Sequence, residues 1–221
     1  MTGRFLLLAA LLLVPGVEAA QGDDRVAAPL QLFTPPPAGS YSLPPIQAAP
    51  RGRVLDEGGR AHALSEFVTG RITLLSFIYT HCTDPAGCPL AISTLAQVRD
   101  RLAANPVAAE GVRMVSLSFD PEYDTPDVMR MFAKTFDTAD RKPAWHFLTT
   151  ASLAQLEPLL AGFGQDAAVA DANGARRLDH TLRVFLIDRR ARVREIYSSA
   201  YLMPEVIVND ILTLAAEGSA R

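Results

Sequence analysis

Ile72-Thr73-Leu74-Leu75-Ser76-Phe77-Ile78-Tyr79-Thr80-His81-Cys82-Thr83-Asp84-Pro85-Ala86-Gly87-Cys88-Pro89 contains an apolar run, the only two cysteines of the chain and a proline directly after the second. The run from Ile72 to Tyr79 predicts a buried strand, being short, continuous and rich in large apolar residues. After it, Leu90, Leu95, Val98 and Leu102 recur at helical spacing, and Pro89 suits the first turn of a helix. Cys88 then lies at or near the helix cap, so both thiols occupy a strand-to-helix junction. There the partial positive charge and free N–H groups of the helix favour a thiolate at Cys88.

Two thiols this close can hold a soft metal or cycle between dithiol and disulfide, since either task brings both sulfurs to one point. A purely structural bridge is the weaker reading. On the chain-entropy model a loop of about seven residues is worth roughly 2.4 kcal/mol, against about 4.7 kcal/mol for a hundred-residue loop. Asp84 in the loop opposes a thiolate but favours an incoming cation. Asp84-Pro85 is also an ordinary turn initiator.

Working outward, Val54 to Leu64 reads as a hairpin turning on Gly58-Gly59, and Val112 to Ser118 as a second strand. Thr125-Pro126 opens a helix, Trp145 to Leu148 forms a short strand, and Ser152 to Phe163 is helical with Pro158 inside. Leu182 to Ile187 and Val193 to Tyr197 are close enough to pair as a hairpin, and Pro204 starts a terminal helix. Alternating strands and helices closed by an antiparallel hairpin describe an α/β, thioredoxin-like sandwich with an N-terminal β-hairpin extension.

The ends divide into three expected segments. Residues 1–20 read as a signal peptide: Arg4, an apolar core from Phe5 to Val14, a Pro15-Gly16 break, and small residues up to Ala19-Ala20. The apolar core is about half the roughly 20 residues that span a bilayer, so membrane association is expected only if this segment is retained. Residues 21–50 carry seven prolines and read as a Pro-rich tether, and residues 51–221 as the folded domain. Export, to the periplasm in a Gram-negative source, puts the thiols where an unprotected pair oxidises, so they need a reductant or a metal. A net charge of −3 with no basic stripe gives no reason to expect nucleic acid or an anionic membrane as partner.

Four separated motifs, in order, resemble the Sco/SenC family. They are Phe77 to Cys82 with Cys88-Pro89; Ser118-Phe119-Asp120-Pro121-Glu122-Tyr123-Asp124-Thr125-Pro126; Trp145-His146-Phe147-Leu148-Thr149; and Asp179-His180 with Leu186-Ile187-Asp188. The resemblance implies a thioredoxin-like metallochaperone that binds copper, as Cu(I), Cu(II) or both. It further implies service to the copper-receiving subunit of cytochrome c oxidase or a similar client, as copper donor or as thiol reductant. Cys82, Cys88 and His180 match the family's copper ligands, and Cys82 and Cys88 are the redox pair if the protein is a reductase. A two-sulfur, one-nitrogen set suits this metal. Two features depart from the family. The cysteines are separated by five residues instead of three, which implies a less preorganised site. The turn Asp188-Arg189-Arg190-Ala191 lacks the usual glycine.

The remaining candidates are weaker. His81 reads as an outer-shell or surface residue, His146 as structural and His62 as exposed. Met129 and Met131 fall on different helix faces. Asp120 and Asp124 read as turn and capping residues. The competing functions are an exported thiol-disulfide oxidoreductase, which would need a thiol reductant as partner, and a redox or copper sensor. Against a general thioredoxin-type reductase stands the absence of both Cys-x-x-Cys and a proline between Pro158 and Pro204. A peroxidase lacks its Thr-x-x-Cys pocket.

Overall fold

The structure is a computed structural model that describes residues 33–136, 141–165, 167–172 and 175–219, with 167–172, 175–180 and 218–219 described by their backbone alone. The signal segment and residues 21–32 lie outside these. In chain order the elements are β1 (Gln47–Ala48), β2 (Arg53–Leu55), β3 (Ala61–Ala63), α1 (Ser65–Val68), β4 (Ile72–Ile78), α2 (Cys88–Ala103), α3 (Pro106–Glu110) and β5 (Val112–Ser118). They continue with α4 (Pro126–Lys134), β6 (Ala144–Leu148), α5 (Leu153–Gly162), β7 (Ala167–Ala172), β8 (Ala175–His180), β9 (Arg183–Ile187), β10 (Arg192–Ser198) and α6 (Pro204–Ser219).

Six strands form one sheet in the order β1-β10-β9-β4-β5-β6. β4, β5 and β6 run parallel, while β9 pairs antiparallel to β4 and closes a hairpin with β10. All seven residues of β4 are buried, so layers cover both faces of the sheet, the usual setting of a parallel core. This is the expected α/β thioredoxin-like sandwich, with β2–β3 as a separate hairpin. Helices α2 and α6 pack on each other and on β4. Phe163, just past α5, meets Phe77 of β4 and Phe185 of β9 at centroid distances of 5.4 and 4.8 Å. Inside the sheet, Ser76 and Ser116 share a 2.9 Å bond and the Trp145 indole donates to Ser116, so the buried hydroxyls of β4 and β5 are satisfied.

The Pro-rich stretch differs from its expectation as a tether. Residues 33–50 lie against the domain: β1 pairs with β10, the Gly39 N–H donates to Thr213 Oγ1, and Asn209 donates to the Pro36 carbonyl. Tyr41 and Tyr197 both donate to Asp210, at 2.5 and 2.7 Å. Burial and the Asp210 bond push the Tyr41 hydroxyl up to about 12, so it remains a donor at neutral pH. A Cβ on Gly162 would come within 2.4 Å of Pro50, so this glycine is required by the close approach of the arm. Prolines remove donors but leave carbonyls and side chains free to bond, and here those bonds hold the segment in place.

The glycine-free hairpin turn has a local cost. Ala191 takes a left-handed φ of 58°, a conformation worth roughly 1–2 kcal/mol against a residue with a Cβ. Glycine would relieve this but gives back about 0.5–1 kcal/mol in unfolded-chain entropy. Ala191→Gly is therefore expected to raise stability by about 0.5–1 kcal/mol, seen as a melting temperature about 1–3 °C higher. A melting temperature at or below wild type would show that the turn carries no strain.

Candidate metal centre

The cysteine loop leaves the end of β4 and enters α2 as a closed turn. The Cys82 N–H donates to the Tyr79 carbonyl at 3.2 Å, and the Gly87 N–H returns to the Asp84 carbonyl at 3.0 Å. Asp84 Oδ1 accepts the Ala86 N–H at 3.0 Å, so this carboxylate organises the turn, as the Asp-Pro pair indicated. The five intervening residues thus fold into a compact bend, not the loose loop that their number implied. Gly87 is the N-cap of α2 and Cys88 its first residue.

The two cysteines form no disulfide; Cys82 is half-buried and Cys88 buried. The Cys88 thiol donates to the Cys82 sulfur, which also receives the Tyr79 hydroxyl and the N–H groups of Cys88 and Asp84. These donors outweigh partial burial and bring Cys82 down to about 5. Holding the shared proton against Cys82, together with burial, pushes Cys88 well up. The first N–H of α2 serves both sulfurs, so the helix end does not by itself select Cys88; the Cys88 proton held against Cys82, with the deeper burial of Cys88, favours the thiolate at Cys82 instead of the expected Cys88. The pair presents one anionic sulfur with a second sulfur bonded to it, a soft donor set whose chemistry suits monovalent copper or disulfide formation.

Asp124 sets the neighbouring wall. It is buried, accepts Thr80 Oγ1 at 2.5 Å and the Thr80 N–H at 3.1 Å, and takes Ser118 Oγ at 2.5 Å. It thereby ties the start of the cysteine loop to the end of β5. Burial raises its carboxyl although these bonds and His81 pull the other way. The cap of α4 is instead Thr125, whose hydroxyl accepts the Val128 N–H. Sequence reading missed this anchor because Asp-Thr-Pro matches a capping pattern, and the partner Thr80 is 44 residues away.

His81 lies between the rings of Tyr79 and Tyr123, at centroid distances of 4.9 and 4.4 Å, with Nε2 3.7 Å from Asp120. It belongs to the surroundings of the pair, in line with its reading as an outer residue. His62 is held by Asp56 and Glu66 at 3.0 and 2.9 Å, which together raise its affinity for a proton. His146 packs on Phe67, and burial, with Arg113 and Arg71 nearby, brings it down to about 4. Met129 is buried while Met131 is exposed, so the two do not converge. His180 ends β8, opposite Ala167 of β7, with two residues between it and the start of β9. Its side chain lies outside the described residues. Among the described residues no group of three His, Cys, Asp or Glu side chains forms a metal cluster.

The SCO1/SenC family model matches residues 53–216. A SCO1 protein homolog of Bacillus subtilis (strain 168) is 27% identical over 148 residues, covering 66% of this chain and 72% of the relative. The structure of Bradyrhizobium japonicum ScoI with copper bound superposes with a TM-score of 0.61 at 24% identity, covering 74% of this chain and 97% of that one. BsSco, described with a disulfide switch and as a member of the Sco family of cytochrome c oxidase assembly proteins, superposes at 0.63 with 23% identity, covering 80% and 98%.

Proposed function

The chain belongs to the SCO1/SenC family, and from that premise we propose that it is an exported copper-binding assembly factor for the dinuclear copper centre of a cytochrome c oxidase. The observation that carries this reading is the sulfur pair: the Cys88 thiol hydrogen-bonded to a half-buried Cys82 just past the C-terminal end of β4. A soft cation that replaces the shared proton gains two sulfur donors. Cys82 and Cys88 are assigned as ligands, with His180 as the nitrogen donor. The copper-bound ScoI supports copper as the ion, and the BsSco description supports the oxidase as client.

Anaerobic titration of the reduced protein with Cu(I), and separately with Cu(II), tests the assignment. One ion of each per chain is expected. His180→Ala should lose Cu(II) binding by about 10-fold or more, with a smaller loss for Cu(I), because the nitrogen donor matters most to the divalent ion. Its dithiol should still oxidise, since disulfide formation requires only the two sulfurs. An identical Cu(II) spectrum and affinity in wild type and variant would remove His180 from the site.

The second reading is a thiol reductant for the client's cysteines, favoured by the contrast in exposure: Cys82 is reachable by a client disulfide, while buried Cys88 can resolve the mixed disulfide. The two sulfurs then end as a disulfide and the client as a dithiol, with an external thiol reductant restoring the pair. Wild-type protein that reduces an oxidised client domain but takes up no copper would favour this reading over delivery.

A further inference from the structure

The turn between β9 and β10 sits at the far end of the sheet from the cysteines and lines a cleft of about 240 Å³. Four arginines line it, Arg189, Arg190, Arg192 and Arg194, against two acidic residues, Asp188 and Glu217, and the Arg189 guanidinium reaches the neighbourhood of Gly111. Both carboxylates are already engaged. Asp188 accepts the N–H groups of Arg190 and Arg192 through Oδ1, and Arg192 Nε and Arg194 Nη1 at 2.8 and 3.0 Å through Oδ2. Glu217 holds Arg194 Nη2 at 2.8 and 3.0 Å. Arg194 is buried, with its Nε donating to the Leu43 carbonyl, so its position is fixed from three sides.

Arg189 and Arg190 make no ion pair among the described residues, and the cleft therefore carries an excess of two positive charges. Their main chain is held independently of their side chains: the Arg189 carbonyl accepts the Gly70 N–H, and Arg190 bridges Thr69. The tip is thus a rigid mount with two unspent guanidiniums, beside an apolar floor of Ile72 and Leu214. Guanidinium forks match tetrahedral oxyanions and bind them in bidentate fashion, more tightly than isolated ammonium groups.

We infer that this cleft is a binding site for a phosphate-class oxyanion, either free phosphate or the headgroup of an anionic phospholipid, held chiefly by Arg189 and Arg190. The inference concerns the end of the molecule remote from the sulfurs and does not depend on copper.

The test uses the full mature chain with the Arg189→Gln/Arg190→Gln double variant, whose fold is checked by its melting temperature. Titration with inorganic phosphate at low ionic strength is expected to show saturable binding to wild type. The double variant should bind at least 10-fold more weakly at an unchanged melting temperature, and added salt should weaken binding to wild type. Co-sedimentation with vesicles of phosphatidylcholine alone and with added phosphatidylglycerol separates the sources. Arginine-dependent binding to the anionic vesicles supports the lipid headgroup, and phosphate binding without vesicle binding supports the free anion. Equal phosphate affinity in wild type and double variant, or no binding of wild type to either probe, overturns the site.

Discussion

Serine at either Cys82 or Cys88 is expected to weaken Cu(I) binding by more than about 100-fold, beyond the cost of losing an outer-sphere partner of a metal site. The two variants fail for different reasons. Cys82→Ser removes the sulfur that four donors stabilise as the anion, leaving a hydroxyl that stays protonated and hard. Cys88→Ser keeps a donor beside Cys82, because the serine hydroxyl can take over the bond of the thiol, so the thiolate persists while one ligand is lost. Loss of Cu(I) in Cys88→Ser therefore reports on coordination and not on the protonation of its neighbour. The measurement is anaerobic competition with a Cu(I) chelator of known affinity. One tightly bound Cu(I) in either serine variant would eliminate a two-sulfur site and leave the thiol-reductant reading in front.

The cysteine junction was legible in the chain because its determinants are local. Ile72–Ile78 is apolar on both faces, Pro89 falls in the first helical turn, and Asp84-Pro85 makes the turn that its composition names. The boundaries of β5 follow from the same rule of an uninterrupted buried run. What escaped depends on partners far along the chain. Tyr41 finds Asp210 across 169 residues, and this and similar bonds make a packed arm out of a stretch whose proline content reads as a tether. The thiolate assignment escaped for a different reason: the helix N–H reaches both sulfurs, and which of them keeps the shared proton is decided by how the bend closes and how deeply each is buried. The arginine cleft was hidden by a net charge of −3, which averages over the surface and says nothing of clustering at one turn. His180 was reached only through resemblance, since a histidine before a strand has no local mark of a ligand.

Replacing Arg99 by alanine is expected to cost about 3–5 kcal/mol, the range for truncating a large buried side chain. Arg99 is 1% exposed in the C-terminal third of α2. Its fork donates to three separate main-chain carbonyls: Nε to Pro143 at 3.0 Å, Nη1 to Phe136 at 2.9 Å and Nη2 to Arg141 at 3.0 Å. Burying the charge is unfavourable by several kcal/mol in itself, so removing it brings a gain. Against that gain stand three carbonyls without their donor, each worth about 1–3 kcal/mol where buried, and the cavity left by the stem. The penalty wins because the bond to the Pro143 carbonyl is buried and the stem leaves a cavity, while the part-buried Phe136 and Arg141 carbonyls add less. Arg99→Met, which fills the space but not the bonds, should recover only the cavity part of the loss. Arg99→Lys should fall short too, since one ammonium cannot reach three separated acceptors. Denaturant unfolding measures the difference, and a loss below about 1 kcal/mol in Arg99→Ala would mean that the three bonds are worth little net. Cu(I) affinity should be unchanged in the folded variant: Cys88 stands eleven residues away along the same helix, about 16 Å, and its own bonds hold the sulfur pair. A variant that unfolds early yet binds copper as wild type does when folded would separate what holds α2 in place from what its N-terminus does.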